Sequence, residues 1–106
     1  MPANIIKLKM EIEMDIKYKI VPKFIFRDVE NEGVVLLPET DTLYALSESA
    51  KIVWKEMMNN ENSITYSQIV KLLSDNYDAE LNVIKQDADS FVSKMLENKL
   101  FEVIKF

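Results

Sequence analysis

The 106-residue chain has no cysteine, no histidine, one glycine, one tryptophan and, among thirteen basic residues, a single arginine. Each scarcity excludes a chemistry. Without cysteine and histidine there is no structural zinc of the usual kind, no thiol chemistry and no Ser-His-Asp or Cys-His nucleophile system. A lone glycine, Gly33, cannot build a phosphate-cradling P-loop or a GxGxxG dinucleotide fingerprint. No apolar run approaches the roughly 18 residues of a membrane span, and no signal-peptide pattern opens the chain. Basic side chains are outnumbered 13 to 18, a net charge of −5. What is present is 48% apolar, enough for one domain that buries roughly two-thirds of its unfolded surface. The expectation is a cytoplasmic, non-catalytic module with no cofactor and no metal.

The hydrophobic period changes near the middle of the chain. From residue 8 to residue 20 apolar and charged residues alternate: Leu8, Met10, Ile12, Met14, Ile16, Tyr18 and Ile20 against Lys9, Glu11, Glu13, Asp15, Lys17 and Lys19. Period two assigns each set to one face of a strand. Pro22 interrupts, since it lacks a ladder donor, and a second strand is expected over about 24–29. The polar turn 30–33 contains Gly33, a residue suited to a position needing positive φ. Residues 34–37, Val-Val-Leu-Leu, read as a strand covered on both faces. A turn at 38–41 then leads into a short strand, 42–46.

After Ser47 the period becomes helical. Ser47 can cap a helix to about residue 59, with Ala50, Val53, Trp54, Met57 and Met58 as its buried stripe. Residues 59–63 form a turn. Thr65 and Gln68 stand at capping-box spacing and open a second helix to about 76. A third helix is expected from about Asp78 to 98, burying Ile84, Ala88, Phe91, Val92, Met95 and Leu96. The apolar tail 100–106 would dock on the body or add a strand. The class is α+β: a three-stranded antiparallel β-meander followed by three helices, winged helix-turn-helix-like, with an extra N-terminal strand.

Such a layout does not by itself define a ligand. Asp87 and Asp89, two apart on a helix, diverge by roughly 200° and cannot share one ion, so an acidic catalytic pair is not expected. The third helix sets Lys85, Lys94 and Lys99 against Asp87, Asp89 and Glu97, summing to zero. Duplex binding needs cationic side chains for the phosphates and favours arginine for guanine; nucleic acid is not an expected partner, nor is a membrane. The sheet remains. A meander covered on one side has edges, and an unpaired edge is a template for another extended chain. The strand 42–46 is one such edge, and the third helix could wall a pocket beside it through Ile84, Ala88 and Phe91.

Several segments together resemble the PqqD-like family: Pro22-Lys23-Phe24-Ile25-Phe26-Arg27, then Val34-Val35-Leu36-Leu37-Pro38, then Tyr44-Ala45-Leu46-Ser47 with Ala50 and Ile52-Val53-Trp54. Thr65 to Ile69, and Asp87-Ala88 with Phe91-Val92, Met95 and Leu100-Phe101, resemble the family's second and third helices. Ser47 stands where the family usually has Asn, Ala88 where it has Val, and Lys99 where a glycine commonly ends the helix. The resemblance spans about residues 22–102, and implies an arm at 1–21 and a peptide-recognition domain at 22–106. It also implies a function: holding the leader of a ribosomally synthesised precursor peptide and presenting it to a modifying enzyme such as a radical SAM maturase, in natural-product biosynthesis. The leader would lie as an added strand on Thr42, Leu43, Tyr44, Ala45 and Leu46, facing Ile84, Asp87, Ala88 and Phe91. The alternative is a winged-helix transcriptional regulator or another protein–protein adaptor.

The arm has no counterpart in that family. Thirteen residues extend about 43 Å, whereas a domain of this size is about 34 Å across. Two expectations follow: a strand-exchanged homodimer through the N-terminal strand, or an arm lying over the leader edge until displaced.

Overall fold

The computed structural model describes residues 15–104. Strand β1, Lys17–Ile20, keeps the alternation read from the sequence, with Tyr18 and Ile20 buried and Lys19 exposed. Asp15 and Ile16 lie ahead of β1 and outside any strand, with Ile16 exposed where the alternation expects it buried. The rest of the expected strand, 8–14, lies outside the described residues, and with it the two roles expected of the arm. β1 is the middle strand of a three-stranded antiparallel sheet. Its Tyr18 is opposite Ile64 of β5, Ser63–Thr65, on one side and Val103 of β6, Phe101–Ile104, on the other. A three-residue strand such as β5 is too short to reveal a period, and the sequence reading had Ser63 in a turn.

The second sheet is the expected meander, in the order β2 (Ile25–Val29), β3 (Glu32–Leu37), β4 (Thr42–Leu46). Two of its expectations need correction. Gly33 does not occupy a left-handed turn position; the positive φ falls on Glu30, at 38°. Gly33 sits inside β3, where a Cβ would come within 2.8 Å of the Phe26 ring and 3.3 Å of the Lys51 stem. It is there for close approach. Nor is β3 covered on both faces: Val35 and Leu37 are buried, while Val34 and Leu36 are half-buried on an outer face shared with Ile25, Val29 and Leu43.

Three helices follow. α1, Glu48–Met58, is capped by Ser47, whose hydroxyl accepts from the Ala50 amide at 3.3 Å. α2, Tyr66–Asn76, opens with the capping box, the Gln68 amide donating to Thr65 Oγ1 at 3.2 Å and the Thr65 amide to Gln68 Oε1 at 2.9 Å. α3, Leu81–Glu97, starts three residues later than expected, and its Leu96 is exposed instead of buried. Its end is a Schellman motif: the Lys99 amide donates to the Leu96 carbonyl at 3.1 Å and the Leu100 amide to Met95 at 2.8 Å, with Lys99 at φ 61°. A lysine thus holds the left-handed position that glycine would fill more easily, and Leu100 and Phe101 still enter the core.

That core is aromatic at its centre. Trp54 is fully buried, with Phe24 edge-on at 5.4 Å and Phe101 stacked at 6.1 Å. Phe101 also stacks on Tyr18 at 6.1 Å and meets Phe91 edge-on at 5.5 Å. One cluster therefore joins β1, β6, α1 and α3. The meander is fastened to α1 by charge: Lys51, 8% exposed, donates to Asp28 Oδ1 at 2.7 Å and to the Glu30 carbonyl, while Lys55 reaches Asp28 Oδ2 at 2.9 Å. The hydrogen bonds from Lys51 and then Lys55 hold the Asp28 carboxyl below its ordinary pKa. Among the described residues no helix is long and apolar enough to cross a membrane.

Candidate functional site

The edge strand β4 is defined by pairing arithmetic. β2 and β3 close a two-residue hairpin with Val29 opposite Glu32, a hydrogen-bonded pair. Main-chain groups alternate from there along β3, so Gly33, Val35 and Leu37 turn towards β4. Their partners are Leu46, Tyr44 and Thr42. Leu43 and Ala45 therefore direct their N–H and C=O groups away from β3, to the side of the sheet that is open among the described residues.

Beside that open side lies a cleft of about 330 Å³ between β4 and α3. From the strand it is lined by Tyr44, Ala45, Leu46 and Ser47, from α1 by Ser49 and Ala50, and from α3 by Asp87, Ser90, Phe91, Lys94 and Met95. Asp87, Ser90, Phe91 and Lys94 stand at i, i+3, i+4 and i+7, one stripe of a helix. Leu46, Ala50 and Met95 are buried and form an apolar floor. Phe91 is half-buried, one edge held by Phe101.

Five of the nine expected contact residues meet in this cleft: Tyr44, Ala45, Leu46, Asp87 and Phe91. The other four do not line it. Leu43 is 70% exposed on the outer face of the sheet, Thr42 is half-buried by the turn before β4, and Ile84 and Ala88 are core residues. On α3, apolar spacing marks the side facing the core, where Ile84 and Ala88 lie, and not the side facing the strand. The polar residues Ser90 and Lys94, and Ser49 on α1, were missed. The i, i+3, i+4, i+7 spacing from Asp87 would have found two of them.

The cleft continues past the end of β4 into a second hollow, lined by Ser47, Glu48, Ser49, Leu73, Tyr77, Ile84 and Asp87. Burial, and then the nearby Glu48 charge, raise the Tyr77 hydroxyl above its ordinary pKa. Asp89 points elsewhere, its Oδ1 accepting a hydrogen bond from the Tyr66 hydroxyl at 2.6 Å across α2 and α3. That tyrosine is pushed up to about 12 by burial, by this hydrogen bond, and by the Asp89 and Tyr18 charges. Asp87 and Asp89 thus face different neighbours, and among the described residues no group of three or more acidic side chains is placed to hold a metal.

A family described as coenzyme PQQ synthesis protein D (PqqD) matches residues 32–100. No curated protein matches the chain. Two solved structures share its fold. The structure of TbiB1 in complex with the TbiA(beta) leader peptide aligns over 79% of this chain and 94% of that one, with TM-score 0.70 and 19% identity. Lasso peptide synthetase B1, complexed with the leader peptide, aligns over 80% and 96%, with TM-score 0.67 and 14% identity.

Proposed function

This chain belongs to the PqqD family, and on that premise we propose that it binds the leader region of a ribosomally synthesised precursor peptide by β-strand addition. The leader lies on the open side of β4, with alternate side chains entering the cleft walled by α3. The protein is a non-catalytic recognition element that presents the bound precursor to a modifying enzyme, of which a radical SAM maturase is the proposed example. The observation that carries this reading is the conjunction of a β4 margin, unpaired among the described residues, with an aromatic cleft beside it. The two structures of like fold, each holding a leader peptide, support it.

The physical sense is direct. Main-chain groups of Leu43 and Ala45 supply affinity and register without regard to sequence, and the side-chain cleft supplies selectivity. Each net hydrogen bond contributes about 0.5–1.5 kcal/mol, so most of the affinity must come from apolar contact with Tyr44, Phe91 and the cleft floor. Proposed contacts are Tyr44, Leu46, Asp87 and Phe91 in the cleft, with Leu43 and Ala45 through their main-chain groups, while Thr42 holds the strand against Leu37.

The test is fluorescence anisotropy with two probes: the labelled leader of the precursor encoded beside this gene, and a labelled DNA duplex. Saturable binding of the peptide alone is expected. Saturable binding of the duplex with none of the peptide would overturn the proposal in favour of a regulator.

A further inference from the structure

We propose that the cleft carries a charge order of its own, in which Asp87 and Lys94 select the leader's charged side chains and their sequence along β4; this rests on the strand-addition reading above. Both residues line the cleft, both are exposed, and neither takes part in an ion pair among the described residues. Every other feature of that wall is neutral: Ser90 and Phe91 lie between them.

Their separation sets the geometry. Seven residues of helix span about 10.5 Å. In an extended peptide, side chains on one face repeat at about 6.6–6.8 Å, so residues two apart span that distance and residues four apart about 13 Å. A basic and an acidic side chain four residues apart can therefore face Asp87 and Lys94 together, with the apolar side chain midway between them against Phe91. The order follows from where the cleft ends. Asp87 also borders the second hollow, beside Ser47 and Glu48, so the acidic end lies where β4 runs into α1. Lys94 lies nearly two helical turns away. The preferred leader sets its basic residue at the Ser47 end and its acidic residue at the other. Tyr77, which lines the hollow with Asp87 and is exposed there, suits the aliphatic stem of lysine or arginine.

The experiment is affinity selection of a random 12-residue peptide library on the wild-type protein, Asp87→Lys, Lys94→Glu and the double variant. Peptides selected on wild type are expected to carry a basic and an acidic residue in a fixed order, and those selected on the double variant the reverse order. A peptide with its two charges exchanged is expected to bind wild type about 10-fold more weakly, from two lost pairs and two like-charge contacts. The double variant restores its binding, and high salt narrows the gap. Identical charge patterns selected on all four proteins would overturn the charge order and leave strand addition standing. Selection of no peptide, or of peptides whose binding ignores Leu43→Pro, would overturn strand addition and this inference with it.

Discussion

Leu43→Pro and Tyr44→Pro, one residue apart, should have opposite consequences. In the register of β3 and β4, Tyr44 is opposite Val35 in a hydrogen-bonded pair, whereas Leu43 faces the open side. Proline at Leu43 removes a donor that no strand among the described residues uses, at an edge position where proline is tolerated. The Leu43 side chain is 70% exposed, so little burial is lost. The expected loss of stability is below about 1 kcal/mol, the ordinary range for an exposed site. Binding is another matter. One inter-chain hydrogen bond is lost, about 0.5–1.5 kcal/mol, and the pyrrolidine ring occupies the space of the incoming carbonyl, which disturbs the adjacent bond. A leader peptide should bind at least about 10-fold more weakly, since 1.4 kcal/mol is tenfold. Tyr44→Pro instead breaks the ladder to β3 inside the sheet, and the protein should lose about 3 kcal/mol or more. Thermal unfolding and fluorescence anisotropy on both variants make the comparison. A Leu43→Pro protein that unfolds, or one that folds and binds the leader as tightly as wild type, would refute the assignment of that edge.

Other substitutions test the local arguments. Lys99→Gly relieves a left-handed lysine, and after the entropy glycine gives up in folding the gain should be about 0.5–1 kcal/mol, raising Tm by about 4 °C. Gly33→Ala drives a methyl group against Phe26 and the Lys51 stem; a loss of about 1–3 kcal/mol in denaturant unfolding is expected. Tyr66 adds a pH dependence. Its folded pKa, about 12, exceeds the value near 10 of an unfolded tyrosine, so the unfolded chain ionises first. Its contribution is complete below about pH 10 and is lost as pH rises towards 12. The stability difference between wild type and Tyr66→Phe should shrink across that window, and a difference that stays flat would show that the Asp89 hydrogen bond does not hold the phenol protonated.

Much of this fold was legible because its elements obey simple periods. β4 and the α2 capping box fall where alternation and the Thr65/Gln68 spacing put them, and Ser47 caps α1. The misreadings share a cause. Gly33 was assigned to a turn because glycine's freedom at positive φ is a local property, whereas its actual use, making room for Phe26 and Lys51, depends on residues distant in sequence. β5 is visible only through its pairing with β1. Leu96 is apolar and correctly spaced, yet the body ends before reaching it. In the cleft, apolar spacing found the core side of α3, while the side facing β4 is a mixed stripe of aspartate, serine, phenylalanine and lysine with no hydrophobic signature. Sequence patterns report burial in the chain's own core. They are nearly silent about surfaces reserved for another molecule.

That silence sharpens the question of why β4, among the edges of the two sheets, is the one proposed to receive the leader. β5 has three residues, too few to hold a peptide in register. β6 carries Glu102, and β2 carries Arg27 and Asp28, the latter clamped by Lys51 and Lys55. Charges on an edge strand are a standard means of blocking unwanted pairing. β4 reads Thr-Leu-Tyr-Ala-Leu, with no charge at all. An uncharged five-residue edge with two outward-facing main-chain positions would invite self-association unless access were restricted. The wall formed by α3 restricts it: a second sheet cannot approach closely, while a single extended peptide can slide between strand and helix. The absence of charge and the presence of the helix are thus two halves of one device. Placing lysine at Ala45, whose main-chain groups face the open side and whose side chain shares the outer face with Val34 and Leu43, should close the edge in the way β2 and β6 are closed, abolishing leader binding while leaving Tm within about 2 °C of wild type. Undiminished leader binding by Ala45→Lys would mean that edge charge is not what distinguishes β4.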